Sequence, residues 1–306
     1  MTHLQLRRPR FDFTEGVPFV WNPQNPAFSF AMNATSFIAI CFEQMIVAAV
    51  QEAKPLIIDP SVADEAMAFL RQEAQHSSSH RKHVMALVKH YPGLENTLNE
   101  SLASFDRLSA TTPLEFRLAY VADLEATFTP SFKLMLDNEN TLFRPGDDRV
   151  ASLFLWHFTE EVEHRSSALV IFDAVVGKPW YRLWVLPRVV KHLLGVMSVI
   201  ADGVNTHVPL TDRHVDARTL LPAFGIAQSL RSKLAFGATR TDSPVPAAFA
   251  GVPVKEKLVA GARVLISQTP FHDPAHEPLP EFADRWFDRY DSGGNVVRWY
   301  GSEHAG

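Results

Sequence analysis

Glutamate and histidine recur in this sequence with the spacing of a metal site on helices. Two motifs read Glu-x-x-His, and an offset of three residues on a helix puts a carboxylate and an imidazole on one face, where both can bind the same metal ion. A lone glutamate on an apolar segment precedes each motif. In chain order the residues are Glu43, Glu73, His76, Glu125, Glu161 and His164. This order of ligands is typical of a four-helix bundle built around two metal ions.

The surroundings of the glutamates make this pattern informative. With 17 Glu and 13 His in 306 residues, chance alone gives about 0.7 Glu-x-x-His motifs, so the motifs by themselves carry little weight. By helical spacing, however, Glu43 and Glu125 each lie within an apolar stripe. The stripes are Phe37, Ile40, Ile46, Val47 and Val50 around Glu43, and Leu118, Val121, Ala122, Phe128 and Phe132 around Glu125.

A carboxylate in an apolar stripe is costly unless it is paired with a cation or bound to a metal. The sequence offers no Lys or Arg within one turn of Glu43 or Glu125 on the same stripe. Separate exposed or ion-paired glutamates are the alternative interpretation. Four such glutamates with two histidines nevertheless favour a shared cation, and therefore a site for two metal ions.

Two further histidines fall on the predicted ligand faces. His80 follows His76 by one helical turn, and His157 precedes Glu161 by one turn. Each is a candidate extra ligand, proton relay or substrate contact, and a supporting or helix-capping histidine is the alternative. His83 and His90 are expected at the surface.

Composition restricts the class of protein. The hydrophobic share of 46%, the charged share of 21% and the net charge of −5 are ordinary for a globular protein and argue against a nucleic-acid partner. Arg7, Arg8 and Arg10 are interpreted as a solvated arm. The single cysteine, Cys41, excludes an intrachain disulfide and fits a reducing cytoplasm, where it is expected to be a buried apolar residue.

The predicted fold class is all-α, a four-helix bundle with a dinuclear metal site and a mostly helical C-terminal extension. Residues 1–30 are expected to form an irregular arm, because Pro9, Pro18, Pro23 and Pro26 are spaced too closely for a helix. Residues 31–204 are expected to form the metal-binding bundle and 205–306 the extension, in which helices are predicted at 220–236 and 255–268. The long helices are predicted at 33–53, 61–89, 113–138 and 148–176, with Ser61 as the N-cap of the second and a kink or break at Pro130. No signal peptide or transmembrane segment is predicted, and residues 181–201 are expected to cover the bundle or to contact a second subunit rather than a membrane surface.

The motifs also resemble those of a known bacterial family. Residues 73–80, Glu-Ala-Gln-His-Ser-Ser-Ser-His, and residues 156–164, Trp-His-Phe-Thr-Glu-Glu-Val-Glu-His, are similar to the family described as predicted metal-dependent hydrolases, as is the Phe-Asp pair at 172 and 173. The resemblance covers roughly residues 30–200. More broadly, the pattern is similar to the ferritin-like di-iron carboxylate superfamily, whose members include oxygenases and iron stores.

The resemblance implies six metal ligands, which are Glu43, Glu73, His76, Glu125, Glu161 and His164. In the relatives, an acidic residue before the motif glutamate orients the histidine of the opposite helix. Here Glu160 corresponds to that residue and is expected to orient His76, while Gln72 occupies the equivalent place in the other motif. The candidate catalytic residues are therefore Glu43, Glu125, Glu160, His157 and His80.

Three functions follow from such a site. A glutamate-rich, all-helical ligand set favours two iron ions, with manganese or zinc as alternatives, that activate O2 to oxidise a small apolar or aromatic substrate. A binuclear hydrolase that activates water, as the family description states, is the alternative, and an iron-oxidising storage protein is a third. Without a dinucleotide fingerprint or P-loop, turnover of an oxygenase would need a separate reductase. A homodimer is expected.

Overall fold

The structure is a computed structural model that describes residues 4–221, 247–270 and 272–301. Its regular elements in these ranges are helices, as the predicted all-α class requires. The α-helices are α1 (Pro26–Ala53), α2 (Pro60–His90), α3 (Leu94–Thr111), α4 (Leu114–Asp137), α5 (Glu139–Leu142), α6 (Asp148–Glu163), α7 (Ser167–Val175), α8 (Pro179–His207), α9 (Leu210–Arg213), α10 (Val254–Ser267) and α11 (Glu281–Asp291). Short 3₁₀ turns cover Lys54–Leu56, Ala217–Leu220 and Pro274–His276.

Helix α1 begins about two turns before the predicted start at residue 33. Asn25 caps it by accepting a hydrogen bond from the Phe28 backbone N–H, and Pro26 occupies the first turn. A proline is well tolerated there because its missing N–H would have no intrahelical partner. Pro26 was predicted to keep this segment irregular, and that prediction was wrong because Pro26 begins the helix.

Helix α2 begins with Pro60 at its first position, and Asp59 is its N-cap. The Asp59 carboxylate accepts from the backbone N–H of Ser61, which was the predicted cap. Helix α4 runs without interruption from Leu114 to Asp137, and Pro130 lies inside it.

The predicted helix at 148–176 is in fact two helices. Helix α6 ends at Glu163, and His164 is its C-cap with φ −93° and ψ 16°. The Arg165 guanidinium donates to the Val162 carbonyl, and the backbone N–H of Ser167 donates to the His164 carbonyl. The carbonyls at the end of α6 therefore accept bonds from Arg165 and Ser167 instead of from the next helical turn. Apolar residues resume at 168–172 after the polar residues 163–167, so the pattern alone does not distinguish one long helix from two.

Helices α1, α2, α4 and α6, which we call the site helices, pack around one interior. Contacts join α1 to α2 and α4, and α6 to α2 and α4. Large apolar side chains fill this interior at full burial, among them Phe37, Phe69, Phe154 and Phe158. A stacked pair with ring centroids 3.9 Å apart joins Phe132 of α4 to Phe158 of α6.

The N-terminal segment is part of the core rather than a solvated arm. Phe11, Phe13, Phe19 and Trp21 are each at least 95% buried. The Phe11 ring packs against Trp156 of α6 at 5.3 Å. Arg7 is 4% exposed, so the prediction that it is solvated was wrong.

Helix α8 packs on α3 and α4 but leaves much of its apolar surface exposed. By length and composition, two helical segments of the described residues could cross a membrane. The most apolar stretch of Pro26–Leu56 is 72% buried, whereas that of Pro179–His207 is 22% buried. The first is therefore a core helix, and the second presents Trp180 and Trp184 at the surface.

The C-terminal residues pack on the site helices. Helix α10, predicted at 255–268, contacts α4, and α11 contacts α4 and α6. Trp286 of α11 is fully buried. The predicted helix at 220–236 falls almost entirely outside the described residues.

We expect replacement of Asn25 with alanine to lower the free energy of unfolding by about 1 kcal/mol, because α1 loses the side-chain oxygen that caps it. Asn25 also donates to the Ala248 carbonyl, which links α1 to the C-terminal region. Urea denaturation compares this variant with Gln24→Ala, which changes an exposed neighbour. Equal stability of the two variants would contradict the assigned cap.

Candidate metal centre

The six predicted metal ligands converge in the interior of the site helices. Glu43 comes from α1, the first Glu-x-x-His motif from α2, Glu125 from α4 and the second motif from the end of α6. Each of the six residues is at most 2% exposed. Four carboxyl groups and two imidazoles therefore share one buried volume.

Glu161 lies at the centre of this cluster. Its Oε1 lies 2.8 Å from Nε2 of His157 and 3.4 Å from Nδ1 of His76. Its Oε2 lies 3.5 Å from Nε2 of His164. One carboxylate thus faces three imidazoles, a position suited to bridging two metal ions.

The other glutamates surround the same imidazoles. Oε1 of Glu73 is 3.4 Å from Nε2 of His164 and 3.8 Å from Nδ1 of His76. Oε2 of Glu125 is 4.0 Å from Nδ1 of His164. The two Glu-x-x-His motifs, from different helices, therefore interleave their ligand atoms.

His157 belongs to the ligand cluster itself. Its Nε2 lies 3.4 Å from Oε1 of Glu43, in addition to its contact with Glu161. Two groups each offer four ligand atoms within 4.8 Å of one another. One group is Glu43, His76, His157 and Glu161, and the other is Glu73, His76, Glu161 and His164. The sequence left His157 open as an extra ligand, a proton relay, a substrate contact or a supporting histidine.

The carboxylate and imidazole atoms of the cluster are suited to binding a shared cation. Within the described residues, many of the buried polar atoms of the site have no hydrogen-bond partner. They are Oε2 of Glu43, both carboxylate oxygens of Glu73, Oε1 of Glu125, Oε2 of Glu161, Nδ1 of His76 and both ring nitrogens of His164. Orphaned buried polar atoms are costly and rare in folded proteins. Such a concentration indicates a metal site, and carboxylate with imidazole ligands suits iron, manganese or zinc.

The protonation of the metal-free cluster is strongly perturbed. Burial raises the pKa of Glu43, Glu73 and Glu125 well above the usual range, and neighbouring carboxylates add to the shift at each of them. Glu161 is the exception, because the imidazoles around it outweigh its burial and lower its pKa. Burial also opposes protonation of His76, but its hydrogen bond to Glu160 and the nearby carboxylate of Glu161 raise its pKa to about 10.

Glu160 lies where it can orient His76. Its Oε2 is 2.9 Å from Nε2 of His76, so Nε2–H donates to Glu160 and Nδ1 faces Glu161. Nδ1 carries a proton when the ring is charged and would offer its lone pair when a metal ion is bound. A carboxylate in this position fixes the tautomer of a ligand histidine and raises its basicity. Gln72, at the equivalent place in the other motif, donates to Glu163 and to the Gln5 carbonyl.

Arg7 connects the N-terminal segment to two acidic residues of α6, Glu160 and Glu163. Its guanidinium donates to both oxygens of Glu163, at 2.7 and 3.0 Å, and lies 3.7 Å from Glu160. The ring of Phe287 stacks on its other face at 4.3 Å. The sequence does not predict that Arg7 is buried in an ion pair, because its acidic partners lie over 150 residues away in the chain.

A chain of polar side chains leads away from His157 on the side opposite Glu161. Nδ1 of His157 contacts Nε2 of His80 at 2.7 Å, and Nδ1 of His80 contacts the Ser36 hydroxyl at 2.8 Å. The same hydroxyl lies 2.9 Å from Nδ1 of His83. His83 is fully buried, so its predicted surface position was wrong. The spacing of His76, His80 and His83 on one helical face was the signal for this burial.

Aromatic side chains enclose the cluster. The rings of Phe69 and His164 lie 4.9 Å apart, and Trp156 contacts the His76 ring edge-on at the same distance. Cys41 is buried as expected, and burial raises the pKa of its thiol to about 12. It is therefore a neutral apolar neighbour.

Comparison with known families agrees with the donor set. The sequence model of the family described as predicted metal-dependent hydrolase matches residues 5–236. The chain belongs to this family. The matched region includes all four site helices and the N-terminal segment that carries Arg7. No curated protein and no solved structure matches the sequence.

Replacing Glu160 with glutamine is expected to weaken metal binding about 10- to 100-fold, because an amide is a poorer acceptor for the His76 Nε2–H. Isothermal titration with Zn²⁺ or Mn²⁺ measures the change. Glu100→Gln, at an exposed position of α3, is the matched control. Unchanged affinity in Glu160→Gln would show that Glu160 does not support a ligand.

Metal binding is also expected to release protons. Burial raises the pKa of Glu43, Glu73 and Glu125, so these carboxyls hold protons to higher pH than free carboxyls do when no metal is bound. A metal ion needs their ionised forms, so its affinity rises as the pH increases through these raised pKa values. Titrations in buffers of different ionisation enthalpy count the protons. A net release of zero would contradict the predicted protonation.

Proposed function

We propose that this protein is a hydrolase that uses two metal ions held by the buried glutamate and histidine cluster. The observation that carries the proposal is the set of unpartnered carboxylate and imidazole atoms around Glu161 in the described residues. Family membership supports hydrolysis as the reaction. The proposed ligands are Glu43, Glu73, His76, Glu125, Glu161 and His164, joined by His157.

The contribution of His157 favours hydrolysis over the oxygen chemistry that the sequence alone suggested. With His157 the donor set contains three imidazoles, and neutral nitrogen ligands are typical of zinc sites that activate water. Divalent ions in such sites lower the pKa of water and polarise the bond that is attacked. Glu125 lies at the edge of the cluster, 4.0 Å from His164 and outside both four-residue groups, so it would complete the ligand set on the side of His164.

The architecture in this proposal is a ferritin-like four-helix bundle. Its support is that the ligands come from α1, α2, α4 and α6 in the order Glu, Glu-x-x-His, Glu, Glu-x-x-His. Residues 31–204 as the metal-binding domain and 205–306 as an extension remain part of the proposal, as does a homodimer. The substrate is a small molecule, for which Phe128 and Phe132 near the site favour apolar or aromatic character.

Oxygen activation by two iron ions is the second candidate function. One observation favours it, which is that each site helix contributes one glutamate to the buried cluster. Four carboxylates stabilise the charge of oxidised iron. This candidate requires O2 and an external electron donor, whereas the hydrolase requires neither.

The experiment that separates these functions loads the metal-free protein with Zn²⁺, Mn²⁺ or Fe²⁺ under anaerobic conditions. We expect turnover of chromogenic carboxylic or phosphate esters without O2, and a loss of roughly 100-fold or more in Glu125→Ala. Oxygen uptake and visible absorption of the ferrous protein are followed after mixing with air. Glu100→Ala on the exposed side of α3 controls for nonspecific effects.

Stoichiometric oxygen uptake with new charge-transfer bands, and no ester hydrolysis with any metal, would overturn the hydrolase proposal and support the second candidate. Iron oxidation without conversion of an organic substrate would instead indicate iron storage.

A further inference from the structure

The hydrogen-bond chain from His157 to His83 has only two consistent directions. We define this chain as His157, His80, Ser36 and His83, in the order in which they touch. A neutral imidazole has one N–H donor and one acceptor nitrogen, and a serine hydroxyl has one proton to donate and lone pairs with which to accept. Among the described residues the Ser36 hydroxyl contacts no acceptor other than His80 and His83, so accepting from both rings would leave its proton buried and unpaired. With the hydroxyl proton paired, the direction of one bond determines the direction of the others.

All members of the chain lie in the interior. His80, His83 and Ser36 are fully buried, and His157 is 3% exposed. Nδ1 of His157 and Nε2 of His80 lie 2.7 Å apart, so one nitrogen donates and the other accepts, and the two rings cannot both be fully protonated. Burial disfavours a charge on any of the three rings. The chain therefore carries tautomers rather than charge.

The first direction applies when Nε2 of His157 uses its lone pair as a metal ligand. Its proton is then on Nδ1, which donates to Nε2 of His80. His80 in turn donates from Nδ1 to Ser36, and the hydroxyl donates to Nδ1 of His83. His83 must then carry its proton on Nε2.

The second direction applies to the metal-free protein. Nε2–H of His157 donates to Glu161 at 2.8 Å, so its Nδ1 accepts from His80. Ser36 then donates to His80 and accepts from Nδ1–H of His83. Passing from this state to the first shifts one proton along each bond of the chain. His157 loses its Nε2 proton to solvent, and His83 gains one at Nε2 from solvent when the interior opens locally, so the total in the chain is unchanged.

We propose that Ser36, His80 and His83 are positioning residues of the metal centre, which hold His157 as a ligand through a chain whose direction reverses when metal binds. This inference rests on the proposed metal-binding function and extends it to residues up to three side chains away. Among the described residues, Nε2 of His83 has no hydrogen-bond partner, which leaves it free to be bare in one state and protonated in the other.

The most direct test is the tautomer of His83. Protein labelled with ¹⁵N-histidine is compared without metal and with diamagnetic Zn²⁺, and the His83 signals are assigned by their loss in His83→Asn. We expect Nδ1–H in the metal-free protein and Nε2–H after Zn²⁺ loading. The same tautomer in both states would overturn the proposal.

Metal affinity provides a second, independent test. Ser36→Ala removes the central hydroxyl and is expected to weaken Zn²⁺ binding about 10- to 100-fold, as loss of outer partners of metal ligands does. His83→Phe, which cannot bond to Ser36, is expected to act in the same direction. His83→Asn keeps a polar atom near the Nδ1 position and is expected to restore most of the affinity.

Ser101→Ala is the matched control, because Ser101 is an equally buried helical serine that bonds to the backbone of its own helix. Its affinity should equal that of the wild type even if its stability falls. Equal Zn²⁺ affinity in Ser36→Ala, His83→Phe and Ser101→Ala would remove the positioning role. Failure of the wild-type protein to bind Zn²⁺ would instead overturn the proposed function itself.

Discussion

The burial of four carboxyl groups in one apolar interior is the constraint on which the rest of the structure depends. Ionised carboxylates lose several kcal/mol of hydration energy when they are removed from water without a partner. Glu43, Glu73, Glu125 and Glu161 are nevertheless all buried around the same imidazoles. Burial raises the pKa of three of them and so favours their protonated forms when no metal is bound. Metal ions would replace those protons.

The residues around the cluster hold its histidines in position. Glu160 holds His76 from outside, and Arg7 compensates the charge of Glu160 and Glu163. His80 holds His157 in a similar way, but through neutral groups. One ligand histidine is thus supported by an ionic network and the other by a hydrogen-bond chain. The N-terminal segment supplies Arg7 to the first network and packs Phe13 on His83 at the end of the second.

The sequence could predict the parts of this site that depend on local periodicity. The i,i+3 spacing placed each histidine beside its glutamate, and the apolar stripes around Glu43 and Glu125 indicated their burial. It could not predict the contacts of Arg7, because their partners are distant in the chain. It also could not predict that α6 ends before His164, because apolar residues resume after that point and the bonds that end the helix are tertiary and local contacts of Arg165 and Ser167. Pro26 was interpreted as a helix breaker because its cap, Asn25, depends on a backbone conformation that residue type alone does not specify. His83 was assigned to the surface although it shares a helical face with His76.

The choice of reaction is where sequence and structure favour different answers. Glutamate-rich motifs on helices favoured oxygen activation, whereas the entry of His157 into the cluster and the family to which the chain belongs favour hydrolysis. Both functions need the same two ions at Glu161. Anomalous diffraction from crystals loaded with Zn²⁺ or Mn²⁺ tests that shared claim most directly. We expect two anomalous peaks within bonding distance of the Glu161 carboxylate, with Nε2 of His157 bound to one of them. A single peak, or peaks only at surface residues, would contradict it.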